Sequence, residues 1–404
     1  MSENEDLQQL RVAIVHDELT RTGGAERTLE EMIRIFPHAR IFALYAGRPQ
    51  ITVDGTTYPV NTTFLQKLPR WFRRHPARLL PLLPFASEQL DLSDFDLVLS
   101  SASGFAKAVV TRSNVPHVCY CHTPIRYAWE ANHQVLKNTP FWQRGIAKLL
   151  LHYIRVADYA GAQRVDHFIA NSNWTKQRIA SYYRQDSTVV YPPIDTIFFT
   201  PGKQSTITRE YFLCVGRLTS SKEFSQAIAV CQKLGLPLKI VGTGYDAKRL
   251  RRLAGQHVTF IGKASQLELR EYYRHARALL QPGEEDFGMA AAEALACGTP
   301  VIAYAVGGAT EVVRHQETGL LYHQQSVESL AEALRTFLGE PGIFKAEVLQ
   351  RSVLRFSVEQ FRTGIQREIA KAIARPDIRP RKSIMYADYV AYGPRYDFSE
   401  PRQI

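Results

Sequence analysis

The sequence lacks any long apolar run. Nowhere in its 404 residues does a stretch approach the roughly 20 consecutive apolar side chains that a membrane-spanning helix needs. Residues 1–9 are polar and acidic, unlike the positively charged start of a secretory signal peptide. These two absences predict a cytoplasmic protein that is either soluble or bound to a membrane surface.

Cysteine is scarce and odd in number. The five cysteines are Cys119, Cys121, Cys214, Cys231 and Cys297. An odd and scattered set does not suit a disulfide framework, whereas it fits a reducing compartment.

Acidic residues are outnumbered by basic ones. The chain has 39 Asp and Glu against 50 Lys and Arg, which gives a net charge of +11. This balance favours an anionic partner, which includes nucleic acid, an anionic membrane and phosphorylated substrates, and charge alone does not choose among them. The length suits two domains of roughly 150–200 residues each.

Short apolar strands alternate with helices in both halves of the chain. Prolines and glycines interrupt this alternation at 191–195 and again at 201–202. The pattern predicts an α/β protein with two doubly wound parallel-sheet domains that face each other across a cleft at the carboxyl ends of their strands. The expected division is residues 1–195, residues 196–355, a last amphipathic helix within 356–374, and an extended tail over 375–404.

The stretch from Glu284 to Gly308 combines a loop, a helix and a buried strand. Gly288 stands where the helix begins, so backbone N–H groups and the helix dipole favour an anion there. Glu285 in the loop and Glu293 in the helix are suited to bind hydroxyl groups. Together these features predict a ligand that carries phosphate and a polyol, such as a nucleotide sugar.

Other segments offer groups that bind phosphate. Gly23 and Gly24 lie at a strand-to-helix turn, which is either a phosphate cradle or simply a tight turn. Arg217 and Lys222 are five residues apart around the end of a strand and the start of a helix, so both cations can reach the same phosphates.

His122 follows a predicted strand and is a candidate for the site, with a core or capping histidine as the alternative. Zinc is disfavoured here, because strand alternation places Cys119 and Cys121 on one face of the sheet and His122 on the other. Asp94 and Asp96 resemble a metal-binding Asp-x-Asp pair. They precede a strand, however, and ligands gather at the opposite end.

The segment Phe64–Phe85 mixes arginines with aromatic and leucine side chains, which suits an anionic membrane surface. The alternative is a pair of short helices packed within the domain, with solvated arginines. The relevant side chains are Arg70, Arg73, Arg74, Arg78, Trp71 and Phe72. A second basic amphipathic stretch, Phe141–His152, favours the membrane interpretation.

Several motifs together resemble a known family. Val215-Gly216-Arg217 with Lys222, and Glu285-Asp286-Phe287-Gly288 with Glu293, resemble the retaining nucleotide-sugar glycosyltransferases of the GT-B fold, in the large bacterial group 1 family. The N-terminal segments are similar to the branch that contains O-antigen and exopolysaccharide mannosyltransferases. These segments are VHDELTRTGGAERTLE, LPLLPFASEQLDLSDFDLVLSS, YCHTPIRYAWE, DHFIANSNWT and YPPID.

The resemblance implies roles for individual residues. Arg217 and Lys222 would bind the donor diphosphate, Glu293 the ribose hydroxyls and Glu285 the hydroxyls of the transferred sugar. His122 would face the sugar near the reacting carbon, and the last helix would pack back on the first domain. The remaining donor-binding positions implied are Gly23, Gly24, Gly216, Gly242, Lys263, Phe287, Gly288, Met289 and Ala290.

The resemblance also implies a chemistry without a metal or a covalent intermediate. The expected activity is transfer of a hexose, foremost mannose from GDP-mannose, to a lipid-linked oligosaccharide at the inner face of the membrane. Glu223 and Ala290-Ala291-Ala292 depart from the family pattern. Glu223 and the unusual tail at 375–404 leave one alternative, a catalytically silent GT-B protein that assists assembly at the membrane. A nucleic-acid binder is disfavoured, since the sequence has no recognition module.

Overall fold

The computed structural model describes residues 7, 9–20, 23–69, 71, 76–202, 209–340 and 342–374. An eight-stranded sheet occupies the N-terminal half in the order β3-β4-β2-β1-β5-β6-β7-β8. Its strands are β1 Val12–Leu19, β2 Arg40–Ala46, β3 Gln50–Val53, β4 Thr56–Thr62, β5 Leu97–Ala102, β6 His117–Cys121, β7 His167–Ala170 and β8 Ser187–Val189.

A six-stranded parallel sheet forms the C-terminal half, in the order β11-β10-β9-β12-β13-β14. Its strands are β9 Tyr211–Val215, β10 Leu238–Val241, β11 Val258–Gly262, β12 Ala276–Gln281, β13 Val301–Tyr304 and β14 Gly319–Tyr322. The predicted GT-B architecture of two parallel-sheet domains is confirmed, with the addition of an antiparallel edge hairpin between β3 and β4.

Helices cover both sheets. In the first half they are α1 Gly24–Ile35, α2 Pro76–Leu79, α3 Leu83–Glu88, α4 Asn132–Asn138, α5 Arg144–Ala162 and α6 Asn173–Tyr183. In the second half they are α7 Phe224–Leu234, α8 Ala247–Leu253, α9 Gln266–Arg274, α10 Met289–Ala296, α11 Ala309–Val312, α12 Val327–Gly339, α13 Ala346–Ser352 and α14 Val358–Ile373. Among the described residues, no helix is both long and apolar enough to cross a bilayer.

The central strands are buried on both faces because helices lie above and below them. β5 is buried at every residue, and so is β6. Such covered strands are rich in apolar residues, as in Leu97–Leu99 of β5 and Val118–Cys121 of β6, and these are the segments that the sequence predicts as strands.

The last helix, α14, joins the core of the N-terminal half. Phe361, Ile365 and Ile369 are buried there beside Ile14 and Val118. Arg362 on the same helix donates to Glu31 of α1 at 2.7 Å. The C-terminal end of the described chain is therefore fixed to the first sheet.

Some element boundaries differ from those predicted. The sequence pattern predicts a helix from Gln266 to Arg277, and in the structure this helix ends at Arg274, because β12 begins at Ala276. The edge strands β3, β8 and β14 were not predicted, nor was β4, which lies between β2 and β3. The tail at 375–404 and the arginines at 70, 73 and 74 lie outside the described residues.

A buried ion pair joins α5 to the core of the first half. The Lys107 ammonium lies 2.5 Å from the Asp158 carboxylate, and both side chains are inaccessible to solvent. Burial alone would lower the pKa of Lys107, and the Asp158 carboxylate outweighs this and raises it. Trp129 and Tyr183 donate to the second oxygen of Asp158, at 2.8 and 2.9 Å.

We predict that Asp158→Asn lowers the free energy of unfolding by about 3–5 kcal/mol, since it leaves the Lys107 charge buried without a counter-ion. Urea denaturation followed by circular dichroism measures this. The matched control is Glu317→Gln, which breaks a half-exposed ion pair with Arg314 and should cost no more than about 1 kcal/mol. Equal losses in the two variants would contradict the assignment.

Candidate functional site

The loop that carries Glu285 is held by backbone packing on two sides. A side chain at Gly283 would overlap Ser221 and Lys222, and one at Gly307 would overlap the Glu285 carbonyl oxygen. The Gly308 N–H donates to that same oxygen at 2.8 Å. As a result the loop position is fixed by contacts that only glycine permits at these places.

This packing brings together two of the predicted site residues. The Lys222 ammonium donates to the Glu285 carboxylate, and about a fifth of each side chain remains exposed. Gly216, also in the predicted set, lies against the Lys222 side chain, so a Cβ there would be 3.5 Å from Lys222 Cε. A cation and a carboxylate thus meet beyond the carboxyl end of β9, the edge at which ligands bind in such sheets.

The two glycines at neighbouring strand ends are in backbone contact. Gly242 has a φ of 141°, and a side chain there would overlap the Gly216 carbonyl. The Gly242 N–H donates to the carbonyl oxygen of Gly262 at 2.7 Å, and Gly262 directly precedes Lys263. The side chains of Lys263 and Arg217 are exposed at this edge.

Gly288 begins α10 with a left-handed φ of 97°, which favours glycine. Phe287 before it is buried, while Met289 and Ala290 are partly exposed. Ala291, Ala292, Ala294 and Ala296 are all inaccessible to solvent, because α10 packs closely among the neighbouring elements. The alanine run is therefore a packing feature of the helix, and its first member, Ala290, is partly exposed but still packs against the core.

Residues of the first domain form the opposite wall of the cleft between the two domains. A Cβ at Gly24 would lie 2.5 Å from Met289 Sδ, so the start of α1 touches the start of α10. Gly23 is the residue that precedes α1. Two helix N-termini, which both carry partial positive charge, therefore meet across the cleft.

Glu293 of α10 lies deeper in the contact between α1 and α10. Its carboxylate accepts from Arg27 of α1 across the interface, and from the Tyr273 hydroxyl at 2.8 Å. Only 2% of the Glu293 side chain is exposed, and its charge raises the pKa of the Arg27 guanidinium. Glu293 is thus paired with the first domain, and it does not contact Lys222.

His122 directly follows β6 and is half-buried. Its Nε2 lies 2.8 Å from Ser101 Oγ, which lies 3.1 Å from His16 Nδ1. Burial, assisted by His16, lowers the pKa of His122 to about 3. The ring is therefore neutral at pH 7, and its Nδ1 can act only through a hydrogen bond.

A cluster of ion pairs fixes the acidic loop to the first domain. Arg178, which is 5% exposed, binds Glu284 and Asp286 as well as Glu130 of its own domain. Arg126 adds a contact to Glu284 at 3.3 Å. Glu285 is consequently flanked on both sides by residues that are bound across the interface.

Glu311 of the second domain provides a second attachment to the first domain. Its carboxylate accepts from the backbone N–H groups of Asn173 and Trp174 at the start of α6, at 3.0 and 3.1 Å, and from the Tyr191 hydroxyl at 3.0 Å. A carboxylate at a helix N-terminus is a favourable arrangement. The two domains are therefore joined by charged groups on both sides of Phe287.

Sequence reasoning missed Arg27, Arg126, Arg178 and Glu311, although Arg27 and Arg126 lie within quoted motifs. Alone, each is an ordinary surface charge in the sequence. Only the meeting of the two domains reveals their partners. Glu223, which departs from the family pattern, is the left-handed residue before α7, and its carboxylate lies 3.4 Å from Gln226 of the same helix.

Comparison with known proteins agrees with this architecture. Residues 198–351 match the family described as glycosyl transferases group 1, and residues 22–198 match the one described as Glycosyltransferase Family 4. The two matches together span most of the chain. Each half of the chain thus matches one glycosyltransferase family, and the structure has the GT-B fold.

Two relatives illustrate the range of similar proteins. A D-inositol 3-phosphate glycosyltransferase from Mycobacteroides abscessus is 28% identical over 59% of this chain and 59% of its own length. A GDP-mannose-dependent alpha-(1-6)-phosphatidylinositol monomannoside mannosyltransferase from Mycobacterium tuberculosis is 31% identical over 41% of this chain and 51% of its own. The chain thus spans little more than half the length of the relatives that it matches.

Solved structures share the fold. Sucrose-phosphate synthase from Thermosynechococcus elongatus superimposes with a TM-score of 0.69 at 19% identity, over 90% of this chain and 99% of that one. HepE from Anabaena in complex with UDP and glucose gives 0.64 at 17% identity, over 90% and 100% of the two chains.

We predict that Gly307→Ala releases the Glu285 loop, since the added methyl would overlap the Glu285 carbonyl. Amide hydrogen exchange at residues 284–287 should become at least tenfold faster, because a local opening that costs about 1.4 kcal/mol less changes its equilibrium tenfold. The matched control is Gly235→Ala, whose φ of 64° is also left-handed but whose Cβ would meet nothing within 4 Å. Equal exchange at 284–287 in both variants would contradict this account.

Proposed function

We propose that this protein is a retaining, metal-independent glycosyltransferase that moves a hexose, foremost mannose from GDP-mannose, to a lipid-linked oligosaccharide in surface polysaccharide biosynthesis. One observation carries the proposal. Lys222 and Glu285 are in contact beside the start of α10, where the N-terminus of α1 also arrives. A cationic group and two helix N-termini suit a diphosphate, and the carboxylate suits sugar hydroxyls.

In this reaction the bond between the anomeric carbon and the diphosphate oxygen breaks while the acceptor hydroxyl oxygen bonds to the same face of the sugar. The acceptor proton passes to the departing diphosphate. Negative charge grows on that leaving group, so the main catalytic contribution is its electrostatic stabilisation by Lys222, Arg217 and the amides at 288–290. Neutral His122 would hydrogen-bond the sugar through Nδ1.

Support for the particular donor and acceptor comes from the relatives. The Mycobacterium tuberculosis relative is named for GDP-mannose and for a phosphatidylinositol-linked acceptor. A lipid-linked acceptor would place this protein at the inner face of the cell membrane. The basic and aromatic segment from Phe64 to Phe85 supports that location through its attraction to anionic lipid.

The proposal is tested by calorimetric titration of the purified chain with a panel of nucleotide sugars, followed by analysis of the linkage in the product. We expect GDP-mannose to bind most tightly and the new bond to keep the α configuration of the donor. Binding of no nucleotide sugar would instead support a silent assembly factor, and an inverted product would contradict the proposed mechanism.

We predict that Lys222→Ala lowers turnover about ten- to a hundredfold, because a charged hydrogen bond to the leaving group is worth about 1.5–3 kcal/mol. The measurement is steady-state transfer at saturating donor. The matched control is Lys248→Ala, which removes an exposed lysine of α8 in the same domain. Unchanged turnover in the Lys222 variant would remove this residue from the mechanism.

A further inference from the structure

Helix α5 carries an apolar stripe on its outer face. The stripe consists of Ile146, Leu149, Tyr153 and Val156, at spacings of three and four residues that bring them onto one side of the helix, together with Trp142 in the 3-10 turn just before it. Trp142, Ile146 and Leu149 are 69%, 72% and 73% exposed. Large aliphatic and aromatic side chains in a continuous row mark an interaction surface, unlike the isolated exposed residues of most proteins.

The stripe is not needed to hold the helix in place. The opposite face of α5 is buried through Leu151, Ile154 and Asp158, and the ion pair between Asp158 and Lys107 fixes it to the core. Two faces of α5 are therefore apolar, one turned to the protein and one turned to the solvent.

Charge around the α5 stripe is of one sign. Residues 131–157 contain no aspartate or glutamate and include Lys137, Arg144, Lys148 and Arg155. Arg144 and Lys148 are exposed on α5 beside the stripe, and no ion pair among the described residues involves either. An apolar row beside unpaired cations is the pattern of a helix that lies at an anionic lipid surface.

The neighbouring segment extends this surface. The Tyr153 hydroxyl donates to the Pro81 carbonyl at 3.3 Å, and Phe85 close by in sequence is 54% exposed. Residues 55–87 also contain no acidic residue. Pro81 and Tyr153, which are in contact, therefore both lie in runs of sequence without acidic residues.

The same helix supports the loop that follows His122. Arg155 donates to the Ala128 carbonyl at 3.0 Å, and Asp158 accepts from Trp129. The loop that follows His122 is therefore held by α5. A membrane docked on the outer face of α5 would lie on that same side of the first domain.

We propose that the α5 stripe is the surface by which the protein docks on anionic lipid, with its apolar side chains inserted and its basic side chains at the headgroups. This deepens the proposed function, on which it rests for its lipid-linked acceptor. A second copy of the chain is a poorer occupant, because a two-fold contact would bring the same unpaired cations of both copies together.

The test uses the full chain with vesicles of phosphatidylglycerol and phosphatidylcholine. Ile146→Glu with Leu149→Glu should lower the vesicle partition coefficient at least tenfold, because two exposed side chains lose their insertion into lipid. The matched control is Ile197→Glu with Leu267→Glu, two similarly exposed apolar residues of the second half, and its partitioning should match that of the unaltered chain. Vesicles of phosphatidylcholine alone should bind the unaltered chain more weakly.

Equal partitioning of the two double variants would overturn the proposal. So would a concentration-dependent dimer, measured by sedimentation velocity, that only the α5 variant abolishes while vesicle binding persists. Calorimetric titration with GDP-mannose separates this proposal from the proposed function. If the α5 variant no longer partitions to vesicles but still binds GDP-mannose, the result supports docking through α5. If the unaltered chain does not bind GDP-mannose, the result contradicts only the proposed function.

Discussion

The pairing of charges across the domain interface is the constraint on which the site depends. Arg178 of the first domain binds Glu284 and Asp286 of the second, and Arg27 binds Glu293. Arg178 and Glu293 are buried, and a buried charge is costly unless it is paired, so each depends on partners in the other domain while the domains are in contact. Because Glu285 lies between two of these acids, its position depends on the approach of the domains.

This constraint bears on how a donor would enter. The family resemblance gives Glu293 to the ribose of the nucleotide, yet here its carboxylate is occupied by Arg27 and Tyr273. A ribose that takes over the Arg27 contact would replace an ion pair with a neutral hydrogen bond and would separate Arg27 from its counter-ion, whereas the pairing at Arg178 would be left intact. Donor binding and the arrangement of α1 against α10 would then be coupled through a single carboxylate.

Prediction from the sequence succeeded where the residues within one segment determine the structure of that segment. The strand Val301–Tyr304 is predicted with the bounds that the structure gives, and Gly288 is the residue before α10, as a glycine at an anion site should be. The sequence could not show that Arg27 and Glu293 meet, because 266 residues separate them. The brief edge strands were missed for a related reason, since three or four half-buried residues have no distinct pattern.

The central claim is that the cleft between the two sheets holds a nucleotide sugar by its diphosphate. A crystal structure of the full chain with GDP-mannose tests it most directly. The account predicts the diphosphate at Lys222 and the amides at 288–290, with the ribose hydroxyls at Glu293. A nucleotide bound outside the cleft, or one that leaves Lys222 on Glu285 and Arg27 on Glu293 without contacting any of them, would contradict it.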